Sequence, residues 1–401
     1  MLLFAKRSTT IAVAIALYLI STSISWAAFS LLSPSGVTTP GQVDETRDKV
    51  GEGLPKTEAC PINGAMFSKP EREIWETRRP ITAIIENHAD SRPPSGLSKA
   101  DVIYEAVAEG GITRFLTVFY CSAAAEDVRI GPIRSARVYL IDWASEYGEK
   151  PIFVHVGGAN NICSNCPGGV KPRGQVAKEV LALEKLINLD WRYAKGNALD
   201  GGANAGFPEM WRDYERIPGA ATEHTYMAST DKLSEEAISR GFAFKGEDGN
   251  PWTEMFQTWK FVEDNPISDP KAKSISFEFW SNKPDYNVRW EYDQPNNKYL
   301  RFNGDKKHYD MDNDQQLSAK NVMIMFVKER GPVDSEGHMY YETLGGGKAI
   351  AFQNGDVTEG TWEKKQRTDR VKFYDESGDE IPMVKGVTWI EAVPTGNEIE
   401  Y

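Results

Sequence analysis

The sequence predicts an α/β or α+β N-terminal domain on a central mixed sheet, followed by a smaller, mostly β C-terminal domain. Two patterns carry that expectation. Between about residues 75 and 245, apolar runs of strand length alternate with runs of helical spacing. From about 246 onward the helical spacing stops, and short strand candidates succeed one another with turn residues between them.

The first residues stand apart. Lys6 and Arg7 precede an uncharged run, 9–32, long enough to cross a bilayer as a helix. The basic flank favours an N-inside orientation, which puts the remainder outside the cytoplasm. The run reads either as an uncleaved anchor, which its length favours, or as a signal peptide cut near Ala27–Ala28. No cysteine lies near its end to carry a lipid. Residues 33–59 are rich in Pro, Gly, Ser and Thr and read as a flexible tether. The expected organisation is therefore 1–32 anchor or signal, 33–59 tether, 60–245 α/β domain and 246–401 β-rich domain.

Within the first domain, 81–86 is a strand candidate running into Asn87 and His88, and Arg92–Pro93–Pro94 interrupts regular structure beyond it. Segment 101–108 mixes apolar and acidic residues. Segment 112–120 is nearly all apolar, as suits the middle of a sheet. Strand 128–133 comes next, and then Ser135 is placed to cap a helix reaching about 147. A third apolar strand, 151–156, runs into Gly157–Gly158. Helices are expected at 177–188 and 229–240, with irregular chain at 190–216. In the second domain the strand candidates are 275–280, 288–292, 299–302, 322–327, 349–353, 360–364, 371–374 and 387–390. The glycines at 345–347 lack the outer glycine and the Ser/Thr of a phosphate loop, so a hairpin turn is expected there. Another turn is expected at Asn354–Gly355, and Trp362 and Trp389 read as core.

The chain carries a formal net charge of −12. Without Lys6 and Arg7 the remainder has 44 basic against 58 acidic side chains, a net of −14, which argues against a nucleic-acid partner. An exported chain with Cys60, Cys121, Cys163 and Cys166 points to disulfides. Cys60–Cys121 is the expected staple, with Cys163–Cys166 closing a small loop. The rival for the latter pair is a redox or zinc site.

The chemistry concentrates in one region. Arg114 sits in an apolar strand and needs a partner, and Arg134, Ser135 and Arg137 lie at a strand-to-helix junction. One reading joins the arginines on a bound phosphate or carboxylate at the sheet's end, beside a helix N-terminus. The other makes Arg114 a structural partner of Glu105 or Glu109. Asp101, Glu105, Glu109, Asp142 and His155 are the acid–base candidates. Asn87, His88 and Arg92 form a second polar group and Glu223–His224 a third. They line one cleft with Arg134 if they fold over the same sheet edge. No Walker loop, nucleophile elbow or HExxH motif is present, and no residue is assigned to a metal.

The runs 79–88, 92–97, 100–105, 109–115, 130–137 and 155–158 resemble the YerB-like family of exported two-domain proteins, as do 347–349, 354–355 and 360–362. The resemblance implies a membrane-attached envelope protein with no established biochemical role. Its members carry a lipid-anchored cysteine, which this chain lacks. The order of arginine-bearing strands is also similar to the LytR-CpsA-Psr envelope phosphotransferases, which bind a polyprenyl pyrophosphate through arginines. Ser135 stands where those enzymes have an acidic residue. The expected role is a non-catalytic adaptor for an anionic wall precursor or an envelope protein, using Arg114, Arg134, Ser135, Arg137, His155, Asn87, Glu105 and Glu109. The alternative is transfer from a polyprenyl-pyrophosphate-linked glycan, and only that alternative calls for a divalent metal.

Overall fold

Apolar segments from both halves of the chain pair into one mixed sheet, so neither half closes its core alone. The computed structural model describes residues 50–148, 150–158, 196–246, 248–332 and 337–401. The expected anchor, the tether up to residue 49, helix 177–188 and the Cys163–Cys166 pair lie outside the described residues. No helix among the described residues is long and apolar enough to cross a membrane.

The first half contributes α1 (Lys69–Trp75), β1 (Ile81–Glu86), β2 (Val102–Glu109), β3 (Ile112–Phe119), β4 (Arg129–Ile130) and α2 (Val138–Ala144). It continues with β5 (Ile152–His155), β6 (Ala198–Asp200), β7 (Met210–Arg212), β8 (Tyr226–Ser229) and α3 (Thr230–Ser239). Ser229 caps α3, its hydroxyl accepting from the Lys232 amide at 3.1 Å. The second half is built from β9 (Ser274–Phe277), β10 (Val288–Asp293), β11 (Lys298–Asn303), β12 (Asn321–Arg330) and β13 (Gly345–Gln353). It ends with β14 (Asp356–Lys364), β15 (Lys372–Asp375), β16 (Thr388–Pro394) and β17 (Ile399–Glu400). The result is an α+β N-terminal part and a β-rich C-terminal part.

Among the described residues the main sheet has eleven strands, ordered β15-β14-β13-β12-β16-β2-β3-β1-β5-β6, with a further short strand beside β12. The join between the halves is parallel: β16 lies between β12 and β2, pairing Glu391 with Glu105. Seven of the eight residues of β2 are buried, as expected where both sheet faces are covered. A smaller sheet containing β11, β10, β9 and β17 packs on the main one. The contact includes Trp290 of β10 and Trp389 of β16, whose rings meet edge to face at 5.2 Å.

Three local expectations are corrected. Strand 128–133 stops at Ile130, because Gly131 turns with φ +148° and Pro132 has no amide to donate. A side chain on Gly131 would lie 2.8 Å from the Tyr226 carbonyl oxygen, so only glycine lets the chain pass β8 so closely. Second, Ser135 does not cap α2. The helix begins two residues later behind Arg137, and its seven residues are all buried. Third, Gly345–Gly347 belong to β13 rather than to a turn, with Gly347 opposite Trp362. The Trp362 indole lies over Gly347 and donates to the Phe326 carbonyl at 2.8 Å, and a Cβ at 347 would sit 2.7 Å from that indole nitrogen. The hairpin at Asn354–Gly355 is as expected, with φ +55° and +79°.

Cys60 and Cys121 form the expected disulfide, closing a separation of 61 residues. The buried Asp101 carboxylate beside it accepts from the amides of Tyr120 and Cys121 at 2.8 and 2.9 Å and from Asn63 at 2.8 Å. Burial pushes this carboxyl up to about 6, although the Ser122 hydroxyl and the amides of Tyr120, Ser122 and Cys121 pull it down. Replacing both cysteines by serine is expected to cost about 2–5 kcal/mol. Denaturant unfolding of the double variant measures this, and a loss below ~1 kcal/mol would assign the corner to the Asp101 network alone.

Candidate functional site

β1 and β5 run parallel with Ala83 opposite Val154, then separate, and the chain at 132–136 fills the gap at their C-terminal ends. The Arg134 amide donates to Ile84 and the Arg134 carbonyl accepts from Val156, at 2.8 and 3.1 Å. The Ala136 amide donates to Gly157 at 3.0 Å. Carboxyl ends of parallel strands are where open α/β sheets bind ligands. Here extended chain, not a helix N-terminus, lines that end.

The three arginines converge, but in two different settings. Arg114 and Arg137 are buried and share one carboxylate: Arg137 donates to Glu109 Oε2 at 2.7 Å, and Arg114 donates to Glu109 Oε1. Arg114 also donates to the Ser135 carbonyl at 3.1 Å. Burial alone would raise the Glu109 carboxyl, but Arg137 and Arg114 outweigh it and hold it at about 2. Burial, together with the charge of Arg137, brings the Arg114 guanidinium down to about 9. Arg134 is different, with a quarter of its side chain exposed. It lies 3.3 Å from Glu86 and donates to the Glu223 carbonyl at 3.1 Å.

The two loop clusters meet beside it. His224 Nδ1 is 2.9 Å from Glu86 Oε2, and the His88 and His224 rings stack at 4.7 Å. Burial raises the Glu86 carboxyl, with Arg134 and His224 opposing it. Burial, then the neighbouring His224, lowers His88. Asp90 completes a group of three side chains whose donor atoms lie within 4.8 Å of one another. The sequence places His88 and His224 in separate loops, and Glu86 and Asp90 are not among the residues it singles out. A carboxylate ending a strand that is otherwise apolar and fully buried is the one local signal for Glu86.

Other expected site residues lie elsewhere. Asn87 and Glu105 belong to a buried network: Asn87 donates to Thr113 at 2.8 Å, and Thr113 donates to Glu105 at 2.6 Å. Glu105 is held by the fully buried Arg301 at 2.5 Å, and Arg301 reaches Glu391 at 2.6 Å. His155 is buried, its Nδ1 2.7 Å from the Gly157 carbonyl, and burial lowers its pKa. Ser135 is half-buried at the rim, its hydroxyl beside Gly157. Asp142 is buried in α2 against Thr343 and Arg367, and burial pushes its carboxyl up to about 6.

A separate open cleft of about 870 Å³ lies in the C-terminal half, lined by Glu278, Trp280, Arg289, Asp305, Glu398 and Glu400 among others. Its carboxylates outnumber its arginine, which is the wrong charge for an anion.

Residues 68–171 match the family model described as the DUF3048 N-terminal domain, a protein of unknown function, and residues 275–390 match the DUF3048 C-terminal domain. "Putative lipoprotein YerB" of Bacillus subtilis (strain 168) is 31% identical over 355 residues, covering 87% of this chain and 90% of that protein. The crystal structure of YerB from Bacillus subtilis superposes with a TM-score of 0.63 at 27% identity, over 86% of this chain and all of that one. Both matched domains occur in order and contribute to one shared sheet, so the chain belongs to the DUF3048 family, the YerB-like family whose motifs its sequence carries.

Proposed function

We propose that this chain is an exported, membrane-associated envelope protein that binds an anionic ligand at Arg134, acting as an adaptor rather than a catalyst. The envelope location rests on the lipoprotein description of YerB and on the uncharged N-terminal run. The ligand class rests on one observation: three guanidiniums meet at this end of the sheet, Arg114 and Arg137 buried on Glu109 and Arg134 a quarter exposed beside Glu86. The exposed part of the Arg134 guanidinium offers a phosphate or carboxylate a charge-assisted contact. Arg134 is the exposed contact; Arg114 and Arg137 set the field behind it.

The adaptor reading rests on how the carboxylates are engaged. Glu109 is held by two arginines, and Glu86 by Arg134 and His224, so neither is poised as a general base. The second reading, phosphoryl or glycan transfer from a polyprenyl pyrophosphate, gains from the histidine pair beside Arg134, which supplies metal-type donors.

The test is thermal unfolding of the purified full chain with polyprenyl phosphate, polyprenyl pyrophosphate and wall fragments. A ligand at a hundred times its Kd adds about 2.7 kcal/mol to native stability. We expect a rise in Tm with at least one anionic lipid, lost in Arg134→Ala. A rise that survives this substitution, or none with any member of the panel, sinks the reading in favour of a protein partner.

A further inference from the structure

The corner beside Arg134 holds an arrangement that anion binding does not use. His88 and His224 arrive from distant parts of the chain, yet their rings stack 21° from parallel. One donor atom each from His88, Asp90 and His224 lies within 4.8 Å of the other two. Two imidazoles and a carboxylate are the donor set of a borderline divalent ion, and zinc binds such atoms at about 2.0–2.2 Å. Tetrahedral bonds of that length set ligand atoms roughly 3.4 Å apart, so closing the site takes a shift on the order of an ångström. Asp90, about three-quarters exposed in the short turn Ala89–Ser91, is the most exposed of the three, and His88 Nδ1 exchanges for the ion the Asp90 amide it accepts from at 3.2 Å.

Glu86 supplies the second, independent observation. It is buried, and both its oxygens lie within 3.0 Å of His224 Nδ1, leaving the other ring nitrogen of His224 available to an ion. Metal-bound histidines almost always give their second nitrogen to such a partner. The plain alternative makes Glu86 merely the counter-ion of Arg134 and the histidines a stacked pair. The Arg134 contact is the longer one, at 3.3 Å, so the carboxylate is set on the imidazole first.

We propose that His88, Asp90 and His224 bind one divalent transition-metal ion of the zinc class, with Glu86 as the residue that positions His224 and solvent completing the shell. The ion needs no phosphate or carboxylate from outside the chain, so this stands or falls apart from the anion reading.

The probe is Co2+, titrated into the full chain after chelator treatment. One ion per chain is expected, with the visible d–d absorption of a nitrogen- and oxygen-bound tetrahedral site and no thiolate charge-transfer band. Asp90→Ala and His88→Ala each remove that absorption. Asp90→Ala leaves the Tm of the metal-free protein unchanged, because the side chain is exposed. Glu86→Gln keeps the absorption but weakens affinity about 10–100-fold. The proposal is overturned if no stoichiometric absorption develops, or if it persists in both ligand variants. It is equally overturned if the signal vanishes on replacing Cys163 and Cys166 instead.

Discussion

Replacing Arg301 by methionine is expected to cost about 3–5 kcal/mol, a large share of the ~5–15 kcal/mol that holds an ordinary protein folded. Arg301 has no exposed side-chain area, and neither do its partners Glu105 and Glu391. Its guanidinium lies 4.5 and 5.1 Å from the ring centroids of Trp389 and Trp290, and Trp290 also donates to Glu391 at 3.1 Å. Burial, with the Glu105 carboxylate beside it, holds the Glu391 carboxyl well above its ordinary value despite the opposing Arg301. Arg301 is thus the cation that both buried carboxyl groups contact. Methionine keeps much of the volume but removes the one guanidinium that both buried carboxyl groups contact. Adding Glu105→Gln should recover part of the loss, since it removes one of the two buried carboxyl groups left without Arg301. Urea midpoints of the single and double variants measure both effects. A single variant within ~1 kcal/mol of the parent, or a double variant worse than the sum of its parts, would show that the triad is not the anchor described.

That triad also explains why the two halves do not behave as beads on a string. Glu105 comes from β2, Arg301 from β11 in the smaller sheet and Glu391 from β16, so one guanidinium ties both sheets and both halves. The backbone repeats the message, since β16 is inserted beside β2. Cutting the chain between the halves would expose the edge of β2, whose side chains are buried on both faces.

Legibility in the sequence divides along the range of the interactions. Segments 81–86, 288–292 and 229–240 are readable because their pattern, caps and turns are local, and they match β1, β10 and α3 closely. The Asn354–Gly355 hairpin is readable for the same reason. Arg301 is not, because a charged residue in a strand of mixed polarity reads as solvent-facing, and its partners are 196 and 90 residues away. The glycines of β13 mislead because turn chemistry normally explains three in a row. Only the Trp362 ring, brought over them by strand pairing, accounts for them as strand residues. At the site, the need of Arg114 for a partner is plain from its apolar strand, and Glu109 supplies it. The meeting of His88 with His224 depends on tertiary folding, and the sequence frames it only as a condition.

Glu109→Gln is expected to produce the second large effect, and its pH dependence identifies the cause. Arg114 and Arg137 keep only 3% and 5% of their side-chain area exposed, so the substitution leaves two buried guanidiniums facing a neutral amide. Breaking a buried pair in this way costs about 3–5 kcal/mol. In the parent protein the Glu109 carboxyl is held at about 2, against an ordinary value of 4.5. A carboxyl lowered on folding contributes stability that is fully present above its unfolded pKa, and that contribution is lost as pH falls through the folded pKa. The window is therefore pH 4.5 down to about 2, where the parent should lose roughly 3 kcal/mol through this group. Glutamine cannot titrate, so the variant should lack this component while starting from lower stability at neutral pH. Urea unfolding of both proteins between pH 7 and pH 3 should thus give a gap that narrows as acid is added. A gap that stays constant with pH would mean that the carboxylate charge is not what holds the two arginines, and that Glu109 acts by shape alone.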